Sequence, residues 1–113
     1  MIGKLKLLKS VFPESWIRKL PLLFFKADTI KKDGKVVAMC TTFRRRIILL
    51  GVHKDYRSLG FASKLIQRSN AVKTDTYLGN DKALKLWQKN GFKTEKIVDT
   101  PFGKKYILTR KKA

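Results

Sequence analysis

Acidic residues are scarce in this chain: 8 Asp and Glu stand against 27 Lys and Arg in 113 residues, a formal net charge of +19. Such a surface repels cationic partners and attracts polyanions, with nucleic acid or an anionic substrate the foremost classes. The excess is not confined to a tail, since residues 1–46 carry 12 basic and 3 acidic groups and residues 47–113 carry 15 and 5. There is a single cysteine, Cys40, so no internal disulfide can form, which fits a reducing compartment. Cys40 lies in the strand-like run 35–42 and reads as a buried structural thiol. No window approaches the roughly 18 apolar residues of a membrane span. The segment Met1 to Leu8 is too short and too interrupted by Lys for a secretory signal. No internal repeat, low-complexity segment or metal site is read from the chain. Cytoplasmic residence is expected, and the small size suits a viral protein acting in a host cytoplasm.

The length allows one domain, 1–113, and a hydrophobic content of 43% argues against disorder. Residues 4–12 form a helix with Leu5, Leu8 and Phe12 on one stripe, and 13–20 a second helical piece with Trp16, Ile17 and Leu20 at helical spacing, stopped by Pro21. Leu22 to Phe25 is a strand start or core filler. Residues 27–30 and 35–43 flank Asp33-Gly34, a hairpin signal because both turn residues must accept positive φ. After Arg44-Arg45-Arg46 comes a strand over 47–52, then a glycine turn, a helix over 60–71 and a strand over 74–78. A helix over 80–90 has Ala83, Leu84 and Trp87 on its apolar stripe, Asn80 as N-cap and Gly91 at C′. Two β-rich runs, 92–98 and 104–109, close the chain, leaving 111–113 as a tail. The order implies an α/β or α+β three-layer domain, with a parallel strand–helix–strand unit across 47–78.

The stretch Arg57-Ser58-Leu59-Gly60-Phe61-Ala62 lies between that strand and that helix. The first N–H groups of a helix have no internal partner and sit at the positive end of its dipole. A strand, a short glycine turn and a helix start therefore make a phosphate site.

With its surroundings the stretch resembles the GNAT superfamily of acyl-CoA-dependent N-acyltransferases. Residues 49–62 are similar to the family's apolar strand ending in Val, a tyrosine and Arg/Gln-x-x-Gly-x-Gly/Ala. Asn80, Ala83, Leu86-Trp87 and Gly91-Phe92 are similar to its "Asn, Ala, aromatic, Gly-Phe" helix, and the order of elements agrees. The resemblance covers about residues 33–110. It implies a mixed central sheet, acetyl-CoA as cosubstrate, a cofactor-binding core over 27–110 and an abbreviated helical N-terminal part over 1–26. It also implies that Arg57, Ser58, Leu59, Gly60, Phe61 and Ala62 wrap the CoA pyrophosphate, with Ser63 adding a hydroxyl. Leu50, Gly51 and Val52 then lie along the pantetheine arm. Asn80 is either a ligand near the thioester or simply a helix cap. The shortened N-terminal part leaves the acceptor site open, or completed by a second copy or a partner.

Attack on a thioester needs a neutral amine, and a lysine amine with pKa about 10.4 is neutral in only about 4 of 10,000 molecules at pH 7, a cost of roughly 4.6 kcal/mol. His53, the only histidine, stands just beyond the cofactor strand and is the expected proton acceptor; the alternative is an exposed loop histidine. Asp28, Asp33 and Asp55 are further candidates. An α-amine, with pKa near 8, needs little such help. The family often has a tyrosine at the position of Trp87, where its hydroxyl protonates the departing thiolate; indole has no comparable proton, so Trp87 reads as core or cofactor wall. Two functions follow. One is acetyl transfer to an amine on a nucleic-acid-associated or acidic acceptor. The other is a catalytically silent module binding nucleic acid or a host complex through its basic surface.

Overall fold

The structure is a computed structural model that describes residues 2–13, 16–19 and 27–112. The expectations for Pro21 and for Leu22 to Phe25, and the side chains of Trp16 and Leu20, fall outside the described residues. The elements are α1 (Ile2–Val11), α2 (Trp16–Lys19), β1 (Ala27–Lys32), β2 (Lys35–Phe43), β3 (Arg46–Val52), α3 (Phe61–Arg68), β4 (Lys73–Tyr77), α4 (Asp81–Lys89), β5 (Lys93–Thr100) and β6 (Gly103–Thr109), with a short 3₁₀ turn at Lys54–Tyr56. The six strands form one sheet in the order β1-β2-β3-β4-β6-β5. All pairs are antiparallel except β3 with β4. This is the mixed α+β architecture expected, with helices on both faces of the sheet. No helix of the described residues is long and apolar enough to cross a membrane.

Each turn has a local cause. Asp33 and Gly34 have φ of 52° and 75°, the left-handed pair that a two-residue hairpin with matching twist needs. Helix α4 begins at Asn80, whose side-chain oxygen accepts from the Ala83 N–H at 3.3 Å. It ends with Gly91 donating to Gln88 O at 3.1 Å and Phe92 to Trp87 O at 3.0 Å. That pair of hydrogen bonds, with the Trp87 and Phe92 rings edge to face at 5.6 Å, is a Schellman stop.

Two cores lie on either side of the sheet. On one face α3 and α4 bury Leu65, Ile66, Trp87 and Phe92 against Ile30, Ala38, Cys40, Ile47 and Leu108. On the other, α1 buries Leu7 and Leu8 against Met39 and Leu49. The α1 stripe is therefore rotated from the expected one: Leu8 is in it, but Leu5 and Phe12 are half-buried at its rim, because Leu7 points at the sheet. Ile17 of α2 is 67% exposed rather than in the core. Helix α3 stops at Arg68, earlier than expected, because Ser69 turns extended and caps Ile66 O with its hydroxyl at 2.7 Å.

Cys40 is 2% exposed, and burial, reinforced by Asp28, pushes its thiol up to about 12. A thiol held neutral in this way is a structural group.

Candidate functional site: a cleft through the sheet

Strands β3 and β4 share only one paired position, Arg46 with Lys73. Beyond it they part, and the gap is bordered by two adjacent hollows. The outer one, about 450 Å³, is lined by Leu50, Gly51 and Val52 of β3, by Arg57, Ser58, Gly60, Phe61, Ala62 and Ser63, and by Leu86 and Lys89 of α4. The inner one, about 280 Å³, runs between β3 and β4 and is bordered by Leu50, Thr74, Asp75, Asn80, Leu86 and Trp87. Leu50 and Leu86 belong to both.

The loop at the mouth has the form an anion requires. Ser58 and Gly60 are left-handed, with φ of 65° and 82°. A Cβ on Gly60 would meet nothing within 4 Å, so glycine is needed there for its φ rather than for space within the chain itself. Lys64 N is the first helix amide with an acceptor, Gly60 O at 3.0 Å. The N–H groups of Phe61, Ala62 and Ser63 precede it and have no intrahelical partner. Arg57 brings a cation beside them and donates from Nε to Val52 O at 3.1 Å, which ties the loop to the end of β3. Gly51 is small for a different reason: a Cβ there would lie 3.3 Å from Val11 and 3.5 Å from Phe12, at the end of α1.

The residues expected here fall into three groups. Leu50, Val52, Arg57, Ser58, Gly60, Phe61, Ala62 and Ser63 come together along the outer hollow. Ser63 accepts on its hydroxyl from Asn90 Nδ2 at 3.2 Å, which leaves the hydroxyl hydrogen to donate. Leu59 turns its side chain to solvent at 61% exposure, so only its main chain serves the loop. Asn80 is both a helix cap and a wall of the inner hollow. His53 lies elsewhere. Its ring borders a separate cavity with Lys4, Lys31 and Lys35, and its Nδ1 accepts from Asp55 N at 3.1 Å. In the neutral ring that bond puts the proton on Nε2, leaving no lone pair for an incoming amine.

Three features were not read from the sequence. Lys89 borders the outer hollow from the last turn of α4. Asp75 borders the inner one, held by Arg46 and by Lys105 at 3.3 Å. Its signal was present: Thr74 and Thr76 are buried on either side of it, so the alternation turns Asp75 to the opposite face. The third is Trp87 Nε1, buried and without a hydrogen-bond partner.

Residues 24–94 match the family model described as Acetyltransferase (GNAT) domain. No curated protein matches the sequence. Among solved structures, the chain is similar to the ribosomal-protein-S18-alanine N-acetyltransferase from Escherichia coli, with TM-score 0.70 and 17% identity over 99% of this chain and 88% of that one. It is also similar to a GNAT family acetyltransferase from Elizabethkingia anophelis with acetyl-CoA bound, with TM-score 0.72 and 15% identity over 95% and 89%. A third is a GNAT-family acetyltransferase from Bordetella pertussis, with TM-score 0.74 and 14% identity over 96% and 88%. At these identities the structures carry the fold, and the match over 24–94, more than half of the chain, carries the family: the chain belongs to the GNAT acetyltransferases.

Proposed function

We propose that this protein transfers an acetyl group from acetyl-CoA to an amine carried on an anionic acceptor. The observation that carries this reading is the left-handed Ser58–Gly60 turn opening the free N-terminus of α3 onto a hollow that adjoins the β3–β4 gap. The amides of residues 61–63 and the Ser63 hydroxyl suit a pyrophosphate, and Arg57 and Lys89 supply opposite charge at its two sides. The apolar wall of Leu50, Val52 and Leu86 suits a pantetheine arm and keeps water from the gap. Once bound, acetyl-CoA supplies a thioester carbonyl to that gap. Asn80 borders the same space while its side-chain oxygen caps α4.

The protein contributes chiefly by holding donor and acceptor together. His53 stands outside the chemistry we propose, and Asp75 is already ion-paired with Arg46 and Lys105. An α-amine with pKa near 8, of which about a tenth is free base at pH 7, is the acceptor type that needs the least help from a base. A His53→Ala variant is expected to keep its turnover across pH 6–9.

A second reading, a silent GNAT-like module that binds through its basic surface, draws on Trp87 standing where the family often has a tyrosine. Calorimetry with acetyl-CoA separates the two. Micromolar binding that Gly60→Glu abolishes supports the enzyme, and no heat at millimolar acetyl-CoA supports the silent module.

A further inference from the structure

The sheet has one half that α1 covers and one half that it does not. Met39 and Leu49 face α1, and they pair with Gly51 and Thr41 respectively. Alternation puts Phe43 and its partner Arg46 on that same face, and Arg46 bonds Asp75 across the gap. Asp75 therefore fixes the face of β4, and the ladder carries it outward through β6 to β5. Three rows result: Lys73–Thr109–Lys93, Asp75–Ile107–Lys96 and Tyr77–Lys105–Val98. Helix α1 packs on β2 and β3, whereas Lys73, Tyr77, Lys93 and Lys96 are exposed. With Arg46, five cations stand on this half-face against one carboxylate in register, Asp75. Glu95 is the bulged residue of β5 and has no ladder partner.

We propose that this face of β4–β6–β5 is a docking surface for a single-stranded nucleic acid. Successive rows on one face are about 7 Å apart and adjacent strands about 4.8 Å apart. Lysines at that spacing match a phosphodiester chain, and the three strands span about 10 Å, with Ile107 buried at the centre and Lys73, Lys93 and Lys96 exposed at the sides, which suits one strand better than a duplex. Tyr77 adds a platform for a base at the end nearest the gap: it is 41% exposed, with Lys105 5.3 Å from its ring centre. The face borders the gap through Asp75, so a strand lying on it brings its own amine, or one attached to it, to the cleft. What the docked strand delivers rests on the acetyl-transfer reading above; the docking itself does not.

The test is fluorescence anisotropy of a labelled 12-nucleotide oligouridylate at 50 to 200 mM salt, with acetyl-CoA calorimetry on the same proteins. Lys93→Glu/Lys96→Glu is expected to weaken oligouridylate binding at least tenfold and to flatten the salt slope by about 1.4, at about 0.7 per single-strand phosphate contact. Lys82→Glu/Lys85→Glu, an equal charge change on the exposed face of α4, is expected to weaken it less than threefold. Tyr77→Ala is expected to lose about fivefold, the lower end of one stacked base. Equal losses in the two double variants, no binding at 50 mM salt, or tighter binding of a 12-base-pair duplex or of polyglutamate would each overturn the proposal. Unchanged acetyl-CoA affinity in the β5 variant certifies its fold. Absent acetyl-CoA binding by the wild type would sink acetyl transfer and leave the docking result standing.

Discussion

At its N-terminal end α3 leaves the N–H groups of residues 61–63 facing the cleft, whereas at its C-terminal end, and at that of α4, one side chain takes up the carbonyls. Arg110 donates from Nη2 to Ile66 O at 2.9 Å and to Ser69 O at 3.4 Å, from Nη1 to Asn90 O at 3.2 Å, and from Nε to Ala71 O at 2.8 Å. Its guanidinium also lies 4.5 Å from the Phe92 ring centre. A cation at two helix C-termini is where the dipoles favour it. Lys112 adds bonds to Gln67 O and Ser69 O beside it. One end of the helix layer is thus closed and holds the fold, and the other leaves its amides open to the cleft. Burial lowers the pKa of both Arg110 and Lys112, and the bonds they make are the compensation.

The largest expected effect comes from breaking the closed end. Arg110→Ala leaves the carbonyls of Ile66, Ala71 and Asn90 without this donor, and it should cost about 3 kcal/mol of unfolding free energy, read by urea denaturation. Arg110→Lys should recover little, because an ammonium cannot reach three directions in one plane. Acetyl-CoA affinity of whatever fraction stays folded should be unchanged, because the open end is untouched. The converse variant, Gly60→Glu, should lower acetyl-CoA affinity at least about a hundredfold, or about 2.7 kcal/mol. Its unfolding free energy should fall by only about 1–2 kcal/mol, the cost of a side chain at positive φ. If Gly60→Glu unfolds the protein as readily as Arg110→Ala, the division between the two ends is wrong.

These two ends were not equally legible in the sequence. The open end was read nearly residue by residue, because a strand, a left-handed glycine and a helix start are contiguous and each has a local signature. The closed end was invisible, because Arg110 meets Ile66 and Asn90 only after β6 inserts between β4 and β5. The same contrast separates the two hairpins of the β1–β3 meander. Asp33-Gly34 announces its turn by composition. Arg44 and Arg45 adopt φ of 50° and 61° with no such signal. Their turn is held from afar: Arg45 donates to Asn70 O and Lys112 O, both at 3.0 Å, and its carbonyl accepts from Val72 N at 2.8 Å. The surroundings of His53 were hidden for a related reason. Its position after β3 suggested the cleft, but the 3₁₀ turn that follows rotates it to cap Asp55.

A smaller effect should come from Cys40, which lies beneath α3 on the closed side. Its pKa is raised on folding, so the native state holds its proton to about pH 12 while the unfolded thiol loses it from about 8.5. The contribution to stability is therefore complete below about pH 8.5 and declines as pH rises toward 12. Between pH 8.5 and 10 the wild type should lose about 1–2 kcal/mol more than Cys40→Ala does over the same interval. Urea titrations of both proteins at the two pH values measure that difference, and parallel behaviour would mean that water reaches the thiol.

The smallest expected effect tests where the open end begins. Trp87 is 6% exposed, its ring meets Phe92, and it walls the inner hollow, but its Nε1 has no partner. A buried unpaired donor costs about 1–3 kcal/mol, which nearly offsets the ring area that Trp87→Phe removes. That variant should stay within about 1 kcal/mol of wild type in stability. If the indole is purely wall, acetyl-CoA affinity should also stay within about twofold. A tenfold loss would mean that the N–H finds its partner in the bound thioester, and would extend the open end to α4. Trp87→Tyr sharpens the outcome, because it restores a hydroxyl where the family often has one. Higher turnover at unchanged acetyl-CoA affinity would assign the missing proton to this position, and unchanged turnover would leave departure of the thiolate to water.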